Sequence, residues 1–135
     1  MVVTLLKAFP IVVATILALD LLWLGVVMKD FYRANLGHLM GGTVVWGAAI
    51  VFYLVFAAGL LFFAVMPALA SGSWVKAALF GAALGALCYA TYDLTNHATL
   101  RDWPLMVTIV DIIWGAVLSG VVATVGYFAA KAFGG

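Results

Sequence analysis

Polar residues in this chain fall in clusters, and the apolar runs between the clusters are longer than a soluble helix needs. Leu5 to Met28, Thr43 to Met66, Trp74 to Asn96 and Leu105 to Phe128 each predict a membrane-crossing helix, since roughly 20 apolar residues span the hydrocarbon core. The pattern therefore predicts an all-α membrane protein: four transmembrane helices in a compact bundle, forming a single domain over residues 1–135. Within that pattern "YATYDLTNHATLRDWP", from Tyr89 to Pro104, is anomalous, because it sets an aspartate, a threonine and an asparagine at the end of the third apolar run.

The chain also matches itself. Asp20-Leu21 is followed nine to eleven positions later by Lys29-Asp30-Phe31, and Asp93-Leu94 at nearly the same spacing by Arg101-Asp102-Trp103. After each loop comes a segment of related pattern, "TVVWGAAI" from Thr43 and "DIIWGAVL" from Asp111. This reads as a tandem duplication of a two-helix hairpin, with halves of about 1–66 and 67–135. A unit of two spans returns the chain to its starting side, so the copies would be related by a pseudo-two-fold axis along the membrane normal.

Composition agrees with lipid as the solvent: 68% of residues are hydrophobic and 8% charged, where a soluble domain carries about a quarter charged residues. Lys7 and the apolar run Ala8 to Leu19 would suit a secretory signal peptide, but no small-x-small cleavage site follows and the run resumes after Asp20, so a retained first span is expected. The single cysteine, Cys88, can form no internal disulfide. Three cations fall on each membrane face: Lys7, Lys76 and Lys131 on one, Lys29, Arg33 and Arg101 on the other. Because the first face lacks acids, both termini are placed in the cytoplasm.

Helical rise places the acids. Asp20 precedes Lys29 by nine residues, Asp93 precedes Arg101 by eight, and Asp111 follows Pro104 by seven, so each lies about 10 to 14 Å below the same surface. In the fourth helix Asp111, Gly115, Ser119 and Ala123 form one stripe; in the third, Gly81 and Gly85 lead towards Tyr89, Tyr92 or Asp93, and Asn96. Small residues mark helix contacts in lipid, so Asp93 and Asp111 are expected to face the bundle interior. Asp20 has bulky neighbours, and only the cost of exposing it to lipid turns it inward.

A charged side chain at a helix centre costs roughly 2.5 to 3.5 kcal/mol on insertion scales, so three of them must be protonated, paired, hydrogen-bonded or wetted. Partners near that depth are Thr43, Thr91, Tyr92, Thr95, Asn96 and Thr108, with the indoles of Trp23, Trp46 and Trp114. A purely structural bond from a tryptophan N–H of the opposite repeat to Asp20 or Asp93 suffices for one aspartate. Three in one layer favour a polar cup of Asp20, Asp93, Asp111, Tyr92, Thr95 and Asn96, with Trp23 and Trp114 beside it. Trp74 and Trp103 are expected as interfacial anchors. His38 and His97 read as solvated or capping side chains, and "FYRANLGH" is too short for an anchored amphipathic helix, with Phe31 and Tyr32 at the headgroups. No phosphate loop, Ser-His pair or basic nucleic-acid patch is present, so no nucleic-acid partner and no cofactor are expected.

The segments "YATYDLTNHATLRDWPL" and "DIIWGAVLSG", with "LDLLWLG" and "FYR" earlier, resemble a family of small bacterial predicted membrane proteins known only as a domain of unknown function. The resemblance implies four helices in a bacterial inner membrane. It places Asp20, Trp23, Tyr92, Asp93, Thr95, Asn96, Asp102, Trp103, Pro104, Asp111, Trp114 and Gly115 in the family signature, and it implies no activity.

Three functions remain open. The cup could bind or translocate a proton, a metal cation or a small cationic or polar solute, with the small-residue stripes supplying a homodimer interface. Asp93 and Asp111 could be a catalytic pair that shares a proton and activates water in a membrane-embedded hydrolase or lipid-modifying enzyme. The chain could also be an accessory subunit of a larger membrane partner.

Overall fold

The computed structural model of the chain describes residues 1–134. Helix α1 (Val2–Leu22) runs on through a π turn, Trp23–Val27, and is followed by α2 (Lys29–Leu36) and a short 3-10 turn, Gly37–Leu39. Helix α3 (Trp46–Leu60), a second π turn at Leu61–Val65, and α4 (Met66–Ser71) make one continuous rod; α5 (Trp74–Thr99) and α6 (Leu105–Gly134) complete the chain. Four rods are long and apolar enough to cross a membrane: Val2–Val27, Trp46–Ser71, Trp74–Thr99 and Leu105–Gly134. At 1.5 Å per residue even the 26-residue rods measure about 39 Å, more than the hydrocarbon core, so they tilt or reach into the headgroups.

The second span starts three residues later than its hydropathy suggests and continues past Pro67 to Ser71. Proline is tolerated because it sits in the first turn of α4, directly after the π turn has reset the hydrogen-bond ladder, where its missing N–H costs little. Gly72 then stops the helix. Its φ of 67° is left-handed, and the N–H of Ser73 bonds back to the carbonyl of Ala68 at 3.1 Å, a glycine-based helix cap. The Ser73 hydroxyl accepts the N–H of Lys76 and starts α5, so two residues reverse the chain and hold α4 and α5 antiparallel.

Helix α6 is the axis of the bundle, flanked by α5 and α1. Against α5 the backbones nearly touch: a Cβ built on Gly85 would lie 2.1 Å from the Gly115 carbonyl oxygen, and one on Gly81 2.5 Å from that of Ser119. Only glycine permits this approach. The expected small-residue stripe is thus buried inside the chain between α5 and α6, where it is not free to form a homodimer interface. Against α1, Gly126 receives Val12. The main apolar core includes Ala8, Val12 and Ile16 of α1, Leu60, Leu61 and Val65 of the second span, and Leu118, Val122 and Tyr127 of α6.

The second span is held unevenly. Its lower part, from Leu61, packs on α5, whereas α3 leans chiefly on α1 and exposes Trp46, Ile50, Val51 and Val55. A separate cluster caps the loop end of the bundle, built from Tyr32, Trp103 and Val107 with Trp23, Met28, Phe31 and Leu36. Two expectations are corrected here. Residues 29–36 do form a helix, and Tyr32 turns inward from it to 8% exposure, because the chain breaks direction at Met28 after the π turn. Trp103 is not a lipid-facing anchor but is equally buried, its indole N–H donating to the Thr108 hydroxyl at 3.0 Å. Trp74 remains half exposed.

Candidate functional site

Helix α1 delivers Asp20 on a fully inward stripe. Ala8, Val12, Ile16 and Asp20 recur every fourth residue, and all four are buried, as helical geometry requires of one face. Each carboxylate oxygen of Asp20 takes one donor: the Trp114 indole N–H reaches Oδ1 at 3.1 Å and the Tyr53 hydroxyl reaches Oδ2 at 2.9 Å. Bonds to both oxygens offset the desolvation of a buried carboxylate.

Asp111 is served through a relay. Tyr32 donates its hydroxyl proton to Asp111 Oδ1 at 2.5 Å, and the Trp23 indole N–H donates to the Tyr32 oxygen at 3.0 Å. Trp23 and Trp114 stack with ring centroids 4.2 Å apart and planes 2° from parallel. Tyr32 lies outside the spans; burial first, then its bond to Asp111, hold its hydroxyl above the ordinary tyrosine range, so it stays protonated and remains a donor.

The two halves of this arrangement share a spacing. Asp20-x-x-Trp23 in α1 and Asp111-x-x-Trp114 in α6 run antiparallel, which brings each aspartate level with the opposite tryptophan. Residues three apart occupy one helix face, so both motifs turn inward together. An indole of the opposite half is the expected donor to Asp20, and Trp114 supplies it; Trp46, the counterpart of Trp114 in the repeat, is 69% exposed.

Asp93, on α5, differs from both. It is completely buried, neither oxygen has a hydrogen-bond partner, and its neighbouring ionisable group is the carboxyl of Asp111. Its backbone is held in place, since the Thr108 hydroxyl contacts the Asp93 carbonyl oxygen at 3.4 Å. No basic side chain compensates it: Lys29, Arg33 and Arg101 are exposed.

Asp20 and Asp111 line one cleft, whereas Asp93 is enclosed behind Asp111. Among the described residues no three His, Cys, Asp or Glu side chains lie close enough to hold a metal ion. Asp20 sits at the level of Trp114, about one helical turn deeper than Asp111, and the stacked indoles lie between. The layer divides into one satisfied aspartate and one carboxyl pair.

Beside the pair lies a cleft of about 310 Å³ whose walls include Asp20, Tyr32, Tyr53, Tyr89, Tyr92, Asp111 and Trp114. An adjoining space of about 300 Å³ shares Phe52, Tyr89, Tyr92 and Asp111 and adds Cys88. Phe52 and Tyr92 stand at the mouth, 46% and 58% exposed, where α3 leans away from α5. At about 30 Å³ per water such a volume holds roughly ten waters or a small organic molecule.

Of the residues singled out in the sequence, Asp20, Asp111, Tyr92 and Trp114 line the cleft, Trp23 backs it through the indole stack, and Asp93 lies behind Asp111. Asn96 is near the Tyr92 hydroxyl. Thr95 is exposed and lines neither space, as is Thr43. Thr91 bonds the Leu87 carbonyl of its own helix. His38 donates from Nε2 to the Asp102 carbonyl at 3.1 Å, clamping the first loop to the third, where Asp102 takes a left-handed φ of 59°. Tyr89, on the inward stripe of the third span, lines the cleft as that stripe leads one to expect; Tyr53 and Phe52 have no such signal, because aromatic residues in apolar runs pass as lipid-facing bulk, and Tyr32 has none because it lies in the loop segment between the first two spans.

A family model described as "Predicted membrane protein (DUF2177)" matches residues 5–128. No curated protein and no solved structure matches the chain.

Proposed function

Since the chain belongs to the family of predicted membrane proteins DUF2177, whose description carries no activity, we propose from the geometry that this multi-pass membrane protein binds a small organic cation in its aromatic cleft. The observation that carries the reading is Asp111, whose carboxyl lines a space otherwise walled largely by Phe52, Tyr53, Tyr89, Tyr92 and Trp114. Only Oδ1 of Asp111 accepts a hydrogen bond among the described residues. A carboxylate in a low-dielectric wall attracts a cation far more strongly than one in water, and aromatic faces add cation–π attraction of about 0.5–2 kcal/mol each.

A bare metal ion fits less well, because the acids do not gather in a set of three. A hydrolase gains some support from the adjacent Asp93 and Asp111 carboxyls, but Asp93 is fully enclosed and has no room for the water it would activate. The opening between α3 and α5 suits a ligand with an apolar body that partitions into the bilayer. In this reading the protein lies in the inner membrane with both termini cytoplasmic, which would set the cleft in the opposite leaflet; reporter fusions at the C-terminus test that placement.

Equilibrium dialysis of tetraphenylphosphonium against the purified protein in detergent micelles tests the binding. Saturable binding that disappears in D111N is expected. Equal binding by the wild type and D111N would remove Asp111 as the counter-ion and the reading with it.

A further inference from the structure

We propose that the Asp93–Asp111 pair holds one exchangeable proton, and that a cation entering the cleft displaces it, so that cation and proton compete for the site. The proposal rests on the cation-binding reading above and specifies its regulation.

Its basis is the carboxyl of Asp93, which has no exposed surface and no donor to either oxygen. Orphaned buried polar atoms are rare and call for an explanation. Its facing neighbour is a second carboxyl, that of Asp111. None of the elements around the pair brings it a cation, and none gives Asp93 a donor among the described residues. On α1, Asp20 is itself an acid and is occupied by Trp114 and Tyr53. From α2, Tyr32 donates one bond to Asp111 Oδ1 and none to Asp93. On α5, Tyr89 and Tyr92 line the cleft, and neither hydroxyl bonds the pair among the described residues. Lys29, Arg33 and Arg101 are exposed, and His38 is engaged with the Asp102 carbonyl.

Two adjacent carboxylates that no cation neutralises repel one another, and one proton held between them removes the repulsion and gives one of the two orphaned Asp93 oxygens a partner. In that state the O–H of the Asp93 carboxyl donates to Asp111. Asp111, 8% exposed and on the cleft wall, is the only carboxyl of the pair that a ligand can reach. When a cation settles against Asp111, its positive charge stabilises the second carboxylate. The proton passes from Asp93 to Asp111 and out to water in the cleft. One positive charge enters as one leaves, and the net charge of the site is unchanged.

The test uses the purified full-length protein in weakly buffered micelles, titrated with tetraphenylphosphonium while a pH indicator reads released protons. Release of about one proton per bound cation is expected, with the apparent Kd falling about tenfold per pH unit as pH rises. D93N should still bind, since its amide can donate to Asp111 in the place of the proton, but release and pH slope should both vanish. Binding by the wild type without proton release overturns the exchange and leaves the cation reading standing, as does undiminished release from D93N. No binding by the wild type overturns the cation reading and the exchange together. The infrared carbonyl band of a protonated carboxyl reads the shared proton without any ligand: present in the wild type and lost in D93N, it supports the pair, and its absence from the wild type overturns it.

Discussion

Asp20 and Asp93 begin the same Asp-Leu dipeptide in matching halves of the chain, and both are buried, yet their surroundings are opposite. Asp20 receives one donor on each oxygen; Asp93 receives none. The difference originates in the neighbours. Asp20 looks across at aromatic residues that carry N–H and O–H groups. Asp93 looks across the α5–α6 contact, drawn close by Gly81, Gly85 and Gly115 further along the helices, at another carboxyl. A repeated sequence can set depth and direction, but the partner is set by whatever the adjacent helix brings to that level. One aspartate is thereby fixed as part of the scaffold, and the other is left chemically unfinished beside a cleft.

The largest test of this contrast attacks the contact that holds Asp93 in place. In G85V the new side chain would meet the Gly115 backbone carbonyl at 2.1 Å, and backbone cannot swing aside, so a loss of more than about 3 kcal/mol is expected, beyond ordinary overpacking. Size-exclusion profiles and thermal unfolding in detergent should show little folded protein. G59A is the control on the other hairpin, because a Cβ there meets nothing within 4 Å; its stability should match or slightly exceed the wild type, since alanine is the better helix former.

Next comes the direct comparison of the two acids. D20N replaces an acceptor by an amide donor facing either Tyr53 or Trp114, and should cost about 1–2 kcal/mol of stability, within the range of hydrogen bonds to charged groups. D93N exchanges the shared proton for an amide donor to Asp111 and leaves no other bond broken, so it should change stability by less than about 0.5 kcal/mol, or raise it. Comparable losses from both would mean that Asp93 is as structural as Asp20. Y53F should lie between them at about 0.5–1 kcal/mol and should be non-additive with D20N, because both delete the same bond.

Much of this contrast was visible in the sequence. The four spans follow from apolar run length alone, and the depth and inward facing of Asp93 and Asp111 follow from helical rise and from the small residues at Gly81, Gly85, Gly115 and Ser119. What escaped was any feature that depends on how the elements approach one another. That Tyr32 turns back to Asp111 depends on the break at Met28 and on the Trp103 cluster that receives α2, neither of which has a local pattern. That each of Asp20 and Asp111 comes level with the other's tryptophan depends on α1 and α6 running antiparallel as neighbours. The paired D-x-x-W spacing marks this contact, and an indole of the opposite half as donor to Asp20 is what the repeat leads one to expect. The cleft itself comes from α3 leaning on α1, which hydrophobicity does not encode, because a lipid-facing and a cleft-facing phenylalanine look alike in a string of letters.

The smallest effect separates two residues that the signature treats alike. Tyr92 and Thr95 are three positions apart on α5, both in "YDLTN" and both exposed, but only Tyr92 borders the cleft. Y92A should weaken tetraphenylphosphonium binding about two- to fivefold, the loss of one cation–π contact of about 0.5–1 kcal/mol, with stability nearly unchanged because the ring is 58% exposed. T95A should leave both binding and stability where they were: its side chain borders neither cavity and donates no hydrogen bond among the described residues. Equilibrium dialysis on the two variants measures the difference. If T95A weakened binding as much as Y92A, the ligand would have to lie along the outer face of α5 towards the loop rather than between α3 and α5, and Asp111 would lose its place as the nearest charge.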